Sequence, residues 1–206
     1  RLSEVSWFRT DWQRGGALTG EATYRAEDGA DHPVVVKLPV PPKERYWLAQ
    51  LDAVSSVVPR VYASGEALNG YDLAWVVMEA LPHGPLSPAW EGAEFDLLVD
   101  AAGRFYAATE QIAPPEASAS ADRDWPQILE LARQQVRDGS VPEAKRWKEA
   151  LKKAGKKLDA WLDTWHARPR RQWCHGDLHL ANAMTRQPPP DGPAVLLDLA
   201  QVRPGH

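Results

Sequence analysis

The feature that most constrains this fold is a change of hydrophobic period at Pro82, Gly84, Pro85 and Pro88. Before it, apolar residues fall in short alternating runs; after it, they recur at intervals of three and four. Ser3–Trp12, Ala17–Ala26 and His32–Val40 read as three strands of an antiparallel meander, with turns at Gln13–Gly16 and Asp28-Gly29. Pro41-Pro42 stops the third strand, and Lys43–Leu51 reads as a helix with Trp47, Leu48 and Leu51 on one face. Val57–Ala63 and Leu73–Met78 read as two further strands. Beyond the break, Phe95, Leu98, Val99, Ala102, Phe105 and Tyr106 mark one helical face. After a Pro/Ala/Ser loop over Ala113–Ala121, helices are expected at Trp125–Val136 and Pro142–His166. Short strands at Trp173–His175, Ala181–Met184 and Ala194–Leu199 close the chain. The expectation is an α+β protein of two lobes: a β-rich lobe over residues 1–81, and a mainly helical lobe over residues 82–206 that ends in a small β-hairpin. Clefts between lobes are favoured ligand sites.

Composition narrows the partners. A net charge of −4 argues against nucleic acid, whose binders carry a basic surplus or stripe. The basic run Lys145–Lys157 is interleaved with Glu149 and flanked by Glu143 and Asp159, which reads as a solvated helix face. No apolar run approaches the roughly 18 residues of a membrane span. The single cysteine, Cys174, excludes an internal disulfide and a cysteine-based zinc cluster, and fits a reducing, cytoplasmic location. No secretion signal opens the sequence, which begins at Arg1. Most of the ten tryptophans are expected in the core, given their large buried area.

The chemistry concentrates in His175-Gly176-Asp177-Leu178-His179-Leu180-Ala181-Asn182. An Asp with a His two residues before it and an Asn five residues after it has the spacing of a kinase catalytic loop. There the Asp accepts a proton from an attacking hydroxyl, while the Asn turns its amide oxygen to a metal on nucleotide phosphates. Asp198, at the end of the apolar run Val195-Leu196-Leu197, is placed to ligate the same metal, and hard oxygen donors suit Mg²⁺. Lys37 ends the run Val34-Val35-Val36, and Glu44 follows seven residues on. A lysine there needs a partner, and such a pair can hold phosphates. Trp75–Met78 runs into Glu79, Ala80 and Leu81, where backbone groups can meet an adenine edge.

In this order these residues resemble the aminoglycoside phosphotransferase and choline kinase superfamily, a small-molecule branch of the protein-kinase-like fold. Gly176, where protein kinases usually place Arg, resembles that branch in particular. The resemblance implies a two-lobed kinase-like fold and transfer of the ATP γ-phosphoryl group, with Mg²⁺, to a hydroxyl of a small molecule. It implies Asp177 as the catalytic base or the residue orienting the acceptor, and His175 as a brace of that loop. Asn182 and Asp198 would hold Mg²⁺, and Lys37, paired with Glu44, the phosphates. Met78 would stand beside the adenine, Glu79, Ala80 and Leu81 would contact it through backbone, and Arg14, Gly15 and Gly16 would form the loop over the phosphates. The first hairpin lacks the G-x-G-x-x-G pattern, and Ala200 stands where a protein kinase has the Gly of Asp-Phe-Gly. Family members usually continue with further helices, so more chain is expected after His206.

Other readings of the same residues differ in what they demand. His175-x-Asp177-x-His179 has the look of a transition-metal site but has no fourth ligand nearby. Cys174 reads as a structural thiol rather than a nucleophile. Trp90, Trp125, Trp161 and Trp165 read as core before they read as acceptor contacts. Glu91, Glu94, Asp96, Asp100, Asp122 and Asp124 read as a solvated acidic face before a site for a cationic acceptor. The rival functions are a protein Ser/Thr kinase-like enzyme, opposed by Gly176, Ala200 and the absence of an Ala-Pro-Glu segment, and a non-catalytic nucleotide-binding protein of the same fold, opposed by the full set of catalytic residues.

Overall fold

The computed structural model describes residues 1–9, 16–87, 91–112, 123–168 and 172–205. These form two compact units: one from the described residues of Arg1–Pro114 and Gln172–Gly205, the other from those of Pro115–Arg171.

In the larger unit, β1 (Leu2–Arg9), β2 (Leu18–Arg25) and β3 (Asp31–Leu38) form the expected meander. α1 (Pro42–Val54), β4 (Val61–Gly65) and β5 (Trp75–Glu79) follow, and β5 inserts between β3 and β4 to give a five-stranded antiparallel sheet of order β1-β2-β3-β5-β4. The valine run of β3 is divided by the two-residue period of a strand. Val34 and Val36 join Ala22 and Val77 in one apolar cluster. The intervening Val35 and Lys37 pair with Met78 and Val76, and Val76 lies in the second, larger cluster with Trp47, Leu48 and Leu51 of α1. α1 begins Pro41-Pro42, where the proline ring fits a first turn, and buries Glu44, Trp47, Leu48 and Leu51 at intervals of three, one and three. A carboxylate therefore stands on the helix's core face.

α2 (Ala93–Thr109) packs on β6 (Gln172–Cys174) and β8 (Ala194–Leu196). Its buried line is Ala101, Phe105 and Ala108, so the face is turned from the expected one: Phe95 and Val99 are exposed. β6 pairs with β9 (Arg203–Gly205), and β7 (Ala183–Thr185) pairs with β8. Leu180–Asn182 and Leu199–Gln201 are 3-10 turns, which shortens the strands expected at Ala181–Met184 and Ala194–Leu199. The strand expected at Val57–Ala63 begins four residues later; Val57 and Val58 are fully buried in the preceding loop.

The smaller unit is a pair of helices, α3 (Trp125–Arg137) and α4 (Ala144–His166). Asp124 caps α3 by accepting from the Gln127 amide, and Glu94 accepts from the Glu91 and Gly92 amides at the start of α2. Those two acidic residues are spent on helix ends, and Asp122 lies outside the described residues. So does the Ala113–Ala121 segment. The tryptophan expectation is corrected: Trp47 is buried, but Trp7, Trp125, Trp147, Trp161 and Trp165 are exposed. Two helices shield only the strip between them, and among the described residues of this unit Leu151 alone is buried.

Phe105 is the largest of the fully buried side chains. Phe105→Ala is expected to lower unfolding stability by about 3–5 kcal/mol in urea melts; a loss under about 1 kcal/mol would contradict this packing.

Candidate active site

β6 delivers the chain to His175, and Gly176 then turns it with φ +85°, a region glycine adopts without penalty. The Gln201 carbonyl oxygen occupies the space where a Cβ on Gly176 would sit. The bulkier residue of the protein kinases is therefore excluded by both backbone and space. His175 is buried and stacks obliquely on Phe105, ring centres 5.7 Å apart. Its Nε2 lies 3.0 Å from the Leu197 carbonyl oxygen, which can only accept, so Nε2 carries the hydrogen. Nδ1 then accepts the Asp177 amide at 3.4 Å. Burial pushes the His175 pKa below the ordinary histidine value, against the opposing pull of the Leu197 carbonyl and nearby carboxylates. His175 is a neutral brace with both nitrogens occupied, and it has no lone pair left for a metal. No cluster of three or more His, Cys, Asp or Glu suited to a metal occurs among the described residues.

Asp177 is about half exposed, its side chain at 45%. Asn182 Nδ2 donates to the Asp177 carbonyl at 3.1 Å and to Asp177 Oδ2 at 3.0 Å. Its third neighbour is His179 Nε2 at 3.2 Å. Two oxygen acceptors fix the amide's orientation and leave Asn182 Oδ1 as the group available to a cation. The β7–β8 register pairs Ala183 with Leu196, and the Leu197 amide donates to the Asn182 carbonyl at 2.8 Å. This sets Asp198, exposed and in the left-handed region at φ +59°, across the hairpin from Asn182. An amide oxygen and a carboxylate are hard donors, and the pair fits Mg²⁺.

Lys37 and Glu44 meet at 2.6 Å. The Glu44 residue is only 2% exposed. Burial raises the Glu44 pKa, the Lys37 charge opposes that, and Asp198 adds to the rise. The Asp198 field reaches Glu44 because α1 packs on the 3-10 turn that follows Asp198. Glu44 thus feels both its ion-pair partner Lys37 and the carboxylate of Asp198, from opposite ends of the sequence.

The segment after β5 is more committed than the sequence indicates. The Glu79 amide donates to the Arg60 carbonyl, and the Ala80 amide to the Pro33 carbonyl. The Leu81 amide has no acceptor among the described residues. Beside it lies a cavity of about 490 Å³ lined by Glu21, Thr23, Pro33, Ala80, Leu81 and Pro82, among others. Met78 is half-buried against the α1 cluster. Gly16 is half-buried just before β2, while Arg14 and Gly15 lie outside the described residues, as does Trp90. Cys174 is half-buried and shares a hydrogen bond with Tyr106, a structural setting. Arg186 is the residue that sequence reasoning missed: no motif marks it, and its partners stand 107 to 130 positions away.

Because burial depresses the His175 pKa, its contribution to stability is complete above the unfolded value near 6.5 and is lost as pH falls through the lower folded value. Urea midpoints of the wild type should therefore fall as pH drops from 7.5 to 5.5, and His175→Gln should show a shallower fall. Parallel curves would contradict a buried neutral imidazole.

Three comparisons bear on the family. The profile of the phosphotransferase enzyme family, APH, matches residues 14–206. No curated protein matches the chain. Among solved structures, the fold superposes on a thermostable mutant of aminoglycoside phosphotransferase APH(4)-Ia in ternary complex with ADP and hygromycin B, at TM-score 0.58 and 13% identity, covering 100% of this chain and 69% of that one. A candidate aminoglycoside phosphotransferase from Ralstonia eutropha gives TM-score 0.56 at 17% identity, over 100% of this chain and 61% of that one. The microcompartment-associated aminopropanol kinase gives 0.52 at 20%, over 97% and 65%. At these identities the likeness is one of fold, and the chain spans roughly two thirds of each structure's length. The fold shared with these enzymes and a family profile running through nearly every residue agree: the chain belongs to the phosphotransferase enzyme family.

Proposed function

We propose that the protein is an ATP- and Mg²⁺-dependent small-molecule kinase that moves the γ-phosphoryl group to a hydroxyl of an aminoglycoside-, choline- or sugar-type acceptor. The observation that carries this reading is the single frame of Asp177, Asn182 and Asp198, joined through the Asn182–Leu197 backbone bond, with Lys37 held by Glu44, a carboxylate that itself feels the field of Asp198. Residues 1–81 form the nucleotide-binding lobe in this reading and residues 82–206 the catalytic lobe.

The acceptor oxygen attacks the γ-phosphorus, the bond to the β–γ bridging oxygen breaks, and ADP leaves. Asp177 orients the hydroxyl and takes its proton; the Asn182 amide holds that carboxylate in one rotamer. Asn182 Oδ1 and the Asp198 carboxylate would hold Mg²⁺, which when bound neutralises charge on the phosphates. Lys37 contacts the phosphates, and Glu44 keeps its ammonium on the sheet face. The Leu81 amide, without an acceptor among the described residues, is the donor for the base edge. Positioning and electrostatics supply most of the rate. The neighbours support the same class: one solved structure holds ADP with hygromycin B, and another is an aminopropanol kinase. No helix among the described residues is long and apolar enough to cross a membrane; a cytoplasmic setting is part of the proposal.

Asp177→Asn is expected to leave ADP affinity unchanged and to lower acceptor-dependent turnover by about 10²–10⁴-fold, the usual contribution of a general base. Coupled ADP-release and calorimetric titration read the two effects separately, and undiminished turnover would refute the role. Glu44→Gln should raise the KM for ATP more than it lowers kcat, since it loosens Lys37 in the ground state; an unchanged KM would place Lys37 away from the nucleotide.

A further inference from the structure

Arg186 leaves the end of β7, four positions after Asn182, and its guanidinium is occupied on every edge. Nε and Nη2 each donate to one oxygen of Glu79 at 2.7 Å, a two-pronged pair. Nη1 donates to the Ser56 carbonyl at 2.9 Å and Nη2 also to the Val58 carbonyl at 3.2 Å. Burial would raise the Glu79 pKa, but the Arg186 and Arg60 contacts outweigh it and hold Glu79 below the ordinary carboxylate value, so the pair is fully charged at neutral pH. The residue before, Thr185, exchanges backbone hydrogen bonds with His83, at 2.8 and 3.3 Å. Two consecutive residues of the hairpin thus clamp both ends of the segment 79–83, and the Leu81 amide lies between the clamps. The far end of β7 adjoins Asn182.

We propose that Arg186 is a positioning residue that fixes the base-reading segment Glu79–Leu81 to the β7–β8 hairpin, and so sets the distance between the base and phosphate ends of the nucleotide site. This rests on the reading of the site as a nucleotide site. Arg186 touches neither Asp177 nor the phosphate-side groups; it acts on the separation of two half-sites carried by different parts of the chain. Lysine does not replace it, because a single ammonium cannot span Glu79 and two carbonyls together.

The experiment compares dissociation constants for ADP and for inorganic tripolyphosphate, which lacks a base, in the wild type, Arg186→Ala, Arg186→Lys and Glu79→Gln, each checked for folding by circular dichroism. A fixed separation predicts that both Arg186 variants lose about tenfold or more in ADP affinity. Tripolyphosphate should stay within about twofold, as for a distant, independent contact. The Arg186→Ala/Glu79→Gln double variant should be no worse than Arg186→Ala alone. Equal weakening of both ligands, or recovery of ADP affinity in Arg186→Lys, would overturn the proposal in favour of plain structural support. A wild type that binds neither ADP nor tripolyphosphate would instead fail the nucleotide reading, and this inference with it.

Discussion

The backbone of one residue, Leu197, organises the site. The Leu197 amide donates to the Asn182 carbonyl, and the Leu197 carbonyl accepts from His175 Nε2. Through these two bonds the backbone next to Asp198 is tied to Asn182, at the end of the turn that leads into β7, and to the loop that carries Asp177. Buried backbone groups must be paired, so the hairpin forms with this register or leaves costly orphans. The three polar side chains inherit their arrangement from it. Around it, Phe105, Leu196 and Leu199 form the apolar support, all of them fully buried. The half-exposed carboxylate of Asp177 and the exposed one of Asp198 are thereby held by a fully buried apolar support, which is how a small loop keeps a fixed geometry.

Charge placement follows from the same packing. α1 brings a carboxylate onto its core face at a spacing that otherwise selects Trp and Leu, and that is tolerable because Lys37 meets it across 2.6 Å. The pair is more informative as a positioning device than as a source of stability, since burying both charges costs much of what their attraction returns. Its value lies in fixing the Lys37 ammonium against α1.

The candidate segment was legible because its residues are local: His175, Asp177 and Asn182 lie within eight residues, and Lys37 and Glu44 are seven apart. The meander was legible from alternation and from Asp28-Gly29, and the kinase-like architecture and family followed from the motif order. What was not legible depends on contacts far apart in sequence. Val57 and Val58 have strand composition, but they are buried in a loop where the Val57 carbonyl accepts from Leu196, and composition does not separate those cases. β9 contains Pro204 and Gly205, residues that argue against a strand, and forms because β6 offers it an edge. Arg186 looks like any loop arginine until Glu79 is placed beside it. The exposed tryptophans of α3 and α4 carry the same lesson: periodicity shows which residues share a face, and the neighbour decides whether that face is buried.

The central claim is that this frame transfers a phosphoryl group to a small hydroxyl compound. Phosphorus NMR of the protein with ATP, Mg²⁺ and a panel of amino alcohols, aminoglycosides and sugars tests it most directly. The account predicts loss of the γ-phosphate resonance, growth of ADP and a new phosphomonoester resonance that requires one acceptor class. ADP appearing only with inorganic phosphate, or ATP bound and unchanged with every acceptor, would contradict it.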